Sequence, residues 1–154
     1  NSFVRTTFIA GHPGETEEDF EALCSYVENF KFDRANVFSY SDEEGTTAET
    51  RTDKVEQELI DERAEILGEI ISLTTQESLE NEIGKTFEVY IDGESEEHEY
   101  LLSARKTIWA PSIDGEIYIN DNELSEGEQI RFGQIYTVKV TELVGDKLLA
   151  TVIK

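Results

Sequence analysis

The hydrophobic periodicity of the sequence changes at Gly84, and this change constrains the fold more than any other feature. Before Gly84, apolar residues recur at helical spacing in one stripe, which comprises Val55, Leu59, Ile60, Ile66, Leu67, Ile70 and Ile71. After it, Val89 and Ile91 alternate with polar neighbours, as in a half-buried strand. A glycine commonly ends a helix. The sequence therefore predicts two parts, residues 1–83 and residues 84–154.

The first part has the pattern of a strand, a helix and a second strand. Residues 3–10 are rich in β-branched and aromatic types, and they stop at a turn with two glycines and a proline. Thr16 and Asp19 are typical of a helix start, which predicts a helix over 17–29. The apolar run 35–40 predicts the second strand. This order implies a parallel pair with a right-handed crossover, too small to bury a full core, so we expect a remnant of a larger sheet.

A long helix and a small barrel are predicted to follow. Asp53 and Glu56 form a second capping-type pair, and the apolar stripe after them predicts a helix that runs to about residue 82. Beyond it, Phe87, Val89 and Ile91 alternate with polar residues before Asp92 and Gly93. The candidate strands of the second part lie at 87–91, 99–105, 116–119, 129–140 and 147–153. Five short strands in so few residues predict an all-β barrel of the OB-like kind.

Both parts are acidic, which argues for a basic partner. The formal net charge is −22; residues 1–83 carry 6 Lys and Arg against 21 Asp and Glu, and residues 84–154 carry 7 against 14. Nucleic-acid binding draws on cationic side chains, so a nucleic-acid partner is not expected. The alternative is that the acidic surface only keeps the chain soluble. No apolar run approaches the ~18 residues of a membrane span, and we expect a cytoplasmic monomer without membrane association.

Candidate catalytic and metal-ligating residues are few. Cys24 is the single cysteine; it cannot form an internal disulfide or ligate a cluster by itself, and it lies on an apolar helix face, which favours a packing role. The run Glu94–Glu99 is interpreted as solvated carboxylates rather than a metal site. His12 has no positioned partner in the sequence and is interpreted as a surface or packing residue. No catalytic residue and no metal ligand is predicted. The start at Asn1, without a signal sequence, suggests a fragment.

Two segments resemble radical S-adenosylmethionine methylthiotransferases. Residues 5–20 read RTTFIAGHPGETEEDF, which is similar to a signature at the end of a late strand in the partial barrel of these enzymes. The segment 37–48, VFSYSDEEGTTA, is similar to their next strand and loop. In that family these strand ends lie beside the adenosyl group, so the resemblance implies that Ile9, Gly11 and Phe38 are cofactor neighbours. The alternative for the first segment is an ordinary strand-to-helix turn.

Residues 84–154 resemble a TRAM domain, and Arg105 with the element APSIDG at 110–115 is similar to the tail of the same enzymes. The resemblance implies substrate contacts for Arg105, Trp109 and Asp114. The alternatives are that Arg105 pairs with a carboxylate and that Trp109 lies in the barrel core or rim. The implied fold is an α/β remnant of a partial (β/α) barrel, then a long helix, then the TRAM barrel.

The resemblance also implies a parent enzyme with S-adenosylmethionine and two [4Fe–4S] clusters. The cluster cysteines of the family lie upstream of the matching region, so this fragment alone is expected to be inactive and to hold no cofactor. The family's acceptor is either an adenosine of transfer RNA or an aspartate β-carbon of a small-subunit ribosomal protein, and the acidic charge favours the basic protein. A non-enzymatic binding module for a basic protein is the remaining alternative.

Overall fold

The computed structural model describes residues 3–154. The chain divides into two compact units, Asn1–Gln76 and Glu77–Lys154. Its elements are β1 (Arg5–Ala10), α1 (Glu17–Phe30), β2 (Arg34–Ser39), α2 (Gln57–Glu80), β3 (Thr86–Glu94), β4 (Leu102–Lys106), β5 (Ile117–Asn122), β6 (Ile135–Val144) and β7 (Lys147–Val152). The unit boundary lies within α2, whereas the boundary between residues 83 and 84 stays a prediction.

The first unit confirms the predicted strand, helix and strand. β1 and β2 are parallel, with Arg5 opposite Arg34 at one end and Ala10 opposite Ser39 at the other. At the start of α1, the Thr16 hydroxyl accepts from the Asp19 amide, and the Asp19 carboxylate accepts from the Thr16 amide at 3.0 Å. Both halves of the predicted capping box are therefore present. The buried core of this unit consists of Phe20, Val27, Phe32, Leu67 and Ile71.

The two faces of the β1–β2 sheet differ in exposure. Phe8 and Val37 pack against the helical core. On the opposite face, Ile9 is 56% exposed and Phe38 is 63% exposed. Because strand side chains alternate between faces, the two strands present one covered and one open face. An open apolar face is what the sequence predicts for a sheet taken from a larger one.

The predicted cap of α2 is wrong. The helix begins at Gln57, so Asp53 lies four residues before it. The Asp53 carboxylate instead accepts from Nε of Arg51 at 2.8 Å, and this bond lowers the pKa of Asp53 to about 2. The capping-type spacing is present in the sequence, but the Asp53 carboxylate pairs with Arg51 and does not cap the helix.

The second unit is a closed five-stranded barrel, as predicted. The strand order is β3-β4-β5-β7-β6, and the pairs are antiparallel except for β5 with β7. The largest fully buried side chains of the barrel are Tyr118, Ile91, Ile117, Leu148, Val89, Val138, Val140 and Val152. In β3, β6 and β7 the buried residues stand at every second position, which is the pattern that predicted the barrel, whereas Ile117, Tyr118 and Ile119 are all buried in β5.

Several strand boundaries of the barrel differ from the prediction, and those of β6 differ most. The first barrel strand does not end before Asp92, because β3 continues to Glu94 with a register shift between Ile91 and Gly93. Such a β-bulge bends a strand without ending it. The connection to β4 therefore spans residues 95–101. The fourth strand of the barrel occupies Ile135–Val144 rather than 129–140.

Candidate functional site

A cavity of about 370 Å³ lies at the carboxyl ends of β1 and β2. Its walls include Ile9, His12, Phe38, Tyr40, Thr46 and Ala48. Ile9 and Phe38 are direct partners in the parallel register, so their side chains stand side by side on the open sheet face. The loops after parallel strands are where such sheets place their binding sites. The structure thus brings together two of the three residues predicted to contact a cofactor.

Gly11, the third of these residues, does not line the cavity. Its φ is +82°, and a Cβ added there would lie 2.4 Å from Cγ1 of Ile60 on α2. Glycine is therefore required both by the left-handed backbone and by the close approach of α2. The structure supplies a packing reason for Gly11 that is independent of any ligand.

Arg63 anchors the loop after β1 and was not among the residues predicted from the sequence. Its side chain is 3% exposed, and its Nη1 donates to the Glu15 carbonyl at 3.1 Å and to Oε1 of Glu15 at 2.9 Å. The same Glu15 carboxylate accepts from the Gly11 amide at 3.1 Å. Arg63 lies three residues after Ile60 and four before Leu67, on the apolar stripe. A charge on a buried stripe was the signal that could have identified it.

The loop after β2 is held by a second polar cluster. The Tyr40 hydroxyl donates to Oδ1 of Asp42 at 2.7 Å, and the Lys54 ammonium donates to the same oxygen. Burial and the bond to Asp42 raise the pKa of Tyr40, while the bonds from Lys54 and Tyr40 lower the pKa of Asp42. The Tyr40 ring also meets the edge of His12, with 5.4 Å between centroids. The cluster fixes Tyr40 at the cavity wall as a neutral phenol beside a carboxylate.

A larger cavity, of about 660 Å³, lies in the barrel unit, between the β3–β4 connection and the loop before β5. Arg105 lines it. Its Nε lies 3.0 Å from the Asp92 carboxylate, its guanidinium lies 4.8 Å from the Tyr90 ring centre, and its Nη1 donates to the Trp109 carbonyl. The guanidinium is therefore positioned by groups on both sides of the cavity.

Trp109 and Asp114 do not line this cavity. Trp109 is 6% exposed and Asp114 is 3% exposed. Oδ2 of Asp114 accepts from the Ala110 amide at 2.7 Å, which closes the loop of residues 110–115 upon itself. Trp109 is therefore buried, and Asp114 stabilises its own loop. Of the three predicted substrate residues, Arg105 alone lines the cavity.

Metal ligands do not converge in the described chain. Among residues 3–154, no group of three or more His, Cys, Asp or Glu side chains is arranged to hold a metal ion. Cys24 is half-buried on α1, and burial raises the pKa of its thiol. No helix within this range is both long and apolar enough to cross a membrane.

Comparison with known proteins identifies both units. Residues 83–153 match the TRAM domain. The whole chain is 95% identical to ribosomal protein uS12 methylthiotransferase RimO of Aliarcobacter butzleri and 57% identical to the protein of that name from Sulfurovum sp.. The protein of that name from Campylobacter jejuni is 42% identical over all 154 residues. The chain spans 34% of the length of these curated relatives. It therefore corresponds to the C-terminal part of RimO-type methylthiotransferases and ends in a TRAM domain.

Proposed function

We propose that this chain is part of an enzyme that inserts a methylthio group at the β-carbon of an aspartate in ribosomal protein uS12. The observation that carries the proposal is the cavity at the ends of β1 and β2, where Ile9 and Phe38 are paired. It occurs in a chain that is 95% identical to a uS12 methylthiotransferase along its whole length. Residues 1–83 would border the cofactor, and residues 84–154 would orient the protein substrate in the cytoplasm, where ribosomal proteins are made.

S-adenosylmethionine fits the strand-end cavity by the chemistry of its walls. The apolar surfaces of Ile9 and Phe38 suit the flat face of an adenine, and Tyr40 supplies a phenol beside it. When bound, S-adenosylmethionine supplies the methyl group and the radical that activates the acceptor carbon. Ile9 and Phe38 would pack against the bound ligand and exclude water, and Arg63 holds the loop that follows β1. Gly11 acts indirectly, since it lets α2 approach the strand end.

The two [4Fe–4S] clusters do not fit this chain. A cluster needs several cysteine thiolates, and Cys24 is the single thiol present. We infer that the clusters are ligated elsewhere in the longer protein and that this piece alone is inactive. No step of the reaction is assigned to Cys24.

The charge of the second part supports a protein acceptor over transfer RNA. With 7 basic and 14 acidic residues in 84–154, its mean field attracts a lysine- and arginine-rich protein and repels phosphate. Ribosomal proteins carry many basic residues because they bind RNA. The TRAM domain is therefore proposed to hold uS12 by opposite charge.

The cofactor assignment is tested in the longer protein. Replacing Phe38 or Ile9 by serine should lower the formation of 5'-deoxyadenosine and of methylthio-uS12 together, because both side chains border the cavity. Asn36→Ser is the matched control, since Asn36 lies on the same open strand face outside the cavity. If Asn36→Ser lost as much activity as the cavity variants, or if the cavity variants kept full activity, the strand-end cavity would not be the cofactor site. If the longer protein transferred the methylthio group to transfer RNA and not to uS12, the proposed acceptor would be wrong.

A further inference from the structure

We infer that the barrel cavity is a docking surface for a basic, extended peptide segment, which places a lysine or arginine side chain between the β3–β4 connection and the 110–115 loop. The inference rests on the proposed function for the identity of the protein that carries this segment. It adds where on the TRAM domain that protein binds and which side chains hold it. Three features of the barrel unit carry it: exposed apolar side chains, uncompensated charge and a wall fixed by an internal lysine.

Exposed apolar side chains lie in the cavity wall and in the neighbouring connection. Ile113 and Pro111 line the cavity, and Ile113 is 65% exposed. Tyr100 does not line it, but it is 95% exposed in the same β3–β4 connection that supplies Glu96 and Glu97 to the other wall. Tyr100 has a φ of +71° and Ser112 a φ of +60°, so each loop holds a non-glycine residue in the left-handed region. Apolar and aromatic side chains held out to solvent are typical anchors of protein interfaces.

The net negative charge of the cavity favours a cationic side chain as its occupant. Five carboxylates line it (Asp92, Glu94, Glu96, Glu97 and Glu116), against two cations (Arg105 and Lys147), which leaves three negative charges. Arg105 pairs with Asp92, and Lys147 pairs with Glu97 and Glu116. The carboxylates of Glu94 and Glu96 have no ion-pair partner within residues 3–154. A lysine or arginine side chain could pack its aliphatic stem against Ile113 and place its charged end near Glu94 and Glu96.

Lys147 gives this wall a fixed shape. Its Nζ lies 2.5 Å from Glu97, 3.2 Å from Glu116 and 2.9 Å from the Tyr118 hydroxyl. Glu97 is 50 residues from Lys147 in the chain, so this contact ties the β3–β4 connection to the start of β7. The connection is thereby held in place before any partner arrives, which reduces the entropy cost of binding.

The first test measures peptide binding to the full 154-residue chain. The probe is a synthetic octapeptide of alternating arginine and glycine, with its lysine and glutamate counterparts. We expect the cationic peptides to bind, and their affinity to fall with added salt. The double variant E94Q/E96Q should weaken binding roughly three- to tenfold, and Ile113→Ser roughly tenfold.

The matched control is E123Q/E126Q. It removes the same two charges from the same barrel, but neither residue lines the cavity. Its affinity should stay within about twofold of the original chain, because both charges are exposed to solvent outside the cavity and are screened by salt. If both double variants bound the cationic peptides equally weakly, the peptides would respond to the overall negative charge and not to the cavity, and the inference would be overturned. Absence of binding by the cationic peptides would overturn it as well.

The second test separates this inference from the proposed function. In the longer protein, E94Q/E96Q should raise the KM for uS12 and leave kcat unchanged, because the proposed contact binds a basic side chain of uS12 and not the aspartate that reacts. If uS12 is modified but the KM does not change, the docking surface is wrong and the proposed function stands. If the unaltered protein does not modify uS12 while the peptides bind as expected, the proposed function is wrong and the surface serves another basic protein.

Discussion

Gly11→Ala should destabilise the first unit by two separable effects. The left-handed backbone at φ +82° costs an alanine about 1–2 kcal/mol. The new methyl group would also meet Ile60 at 2.4 Å, and overpacking of this kind costs about 1–3 kcal/mol. The expected loss in the free energy of unfolding is therefore about 2–5 kcal/mol. Gly45→Ala is the matched control, because Gly45 has a φ of +80° and nothing within 4 Å of its added Cβ.

The two effects can be separated by a double-mutant cycle with Ile60→Ala, which removes the atoms that the new methyl group meets. The cost of Gly11→Ala should fall toward that of Gly45→Ala when Ile60 is absent, by about 1–3 kcal/mol. Urea unfolding of the whole chain supplies both readouts. Far-ultraviolet ellipticity reports the helices, most of whose residues lie in the first unit, while fluorescence of Trp109 reports the barrel.

Because α2 continues past Gln76 into the barrel unit, we expect the first unit to unfold cooperatively in the whole chain although not alone, and the ellipticity transition to move more than the fluorescence transition. Equal losses in Gly11→Ala and Gly45→Ala, or strictly additive effects with Ile60→Ala, would show that α2 does not press on the strand end. The packing reason for Gly11 would then be wrong, and a direct ligand contact would become the better explanation.

Three further predictions concern cofactor, folding and pH. Anaerobic reconstitution of this chain should leave no stoichiometric [4Fe–4S] cluster in an iron and sulfide assay, because Cys24 is its single thiol; a bound cluster would contradict the assignment of the ligands elsewhere. Residues 84–154 expressed alone should unfold cooperatively, whereas residues 1–83 should not, since the barrel encloses its core and the parallel pair has an open face; a cooperative transition of the first piece would contradict this. The ε-carbon resonance of Lys147 should titrate above the usual 10.5, because Glu97 and the Tyr118 hydroxyl accept from its ammonium. The stability from this raised pKa is complete below pH 10.5 and is lost as the pH rises through the folded value. Glu97→Gln should lower the Lys147 pKa, and an unchanged titration would show that the ion pair does not form.

The sequence alone predicts the elements whose signals are local. The capping box of Thr16 and Asp19, the stripe of α2 and the alternation after Gly84 each depend on residues a few positions apart, and the structure bears out the elements that they predict. Within the stripe, Ile60, Leu67 and Ile71 are buried, whereas Val55 lies before α2 and Ile66 is 39% exposed. The parallel pairing of β1 and β2 followed from their order around α1. The adjacency of Ile9 and Phe38 at the strand ends follows from that pairing.

Only the tertiary structure decided which side chains reach the two cavities. Arg63 meets Glu15 across 48 residues, and Gly11 is constrained by Ile60 on a helix that the strand's own sequence does not specify. Asp114 and Arg105 share one motif, yet the first turns to its own loop and the second faces the cavity. Local patterns fix backbone conformation through neighbours along the chain, whereas burial and charge pairing depend on which distant residues arrive at the same place.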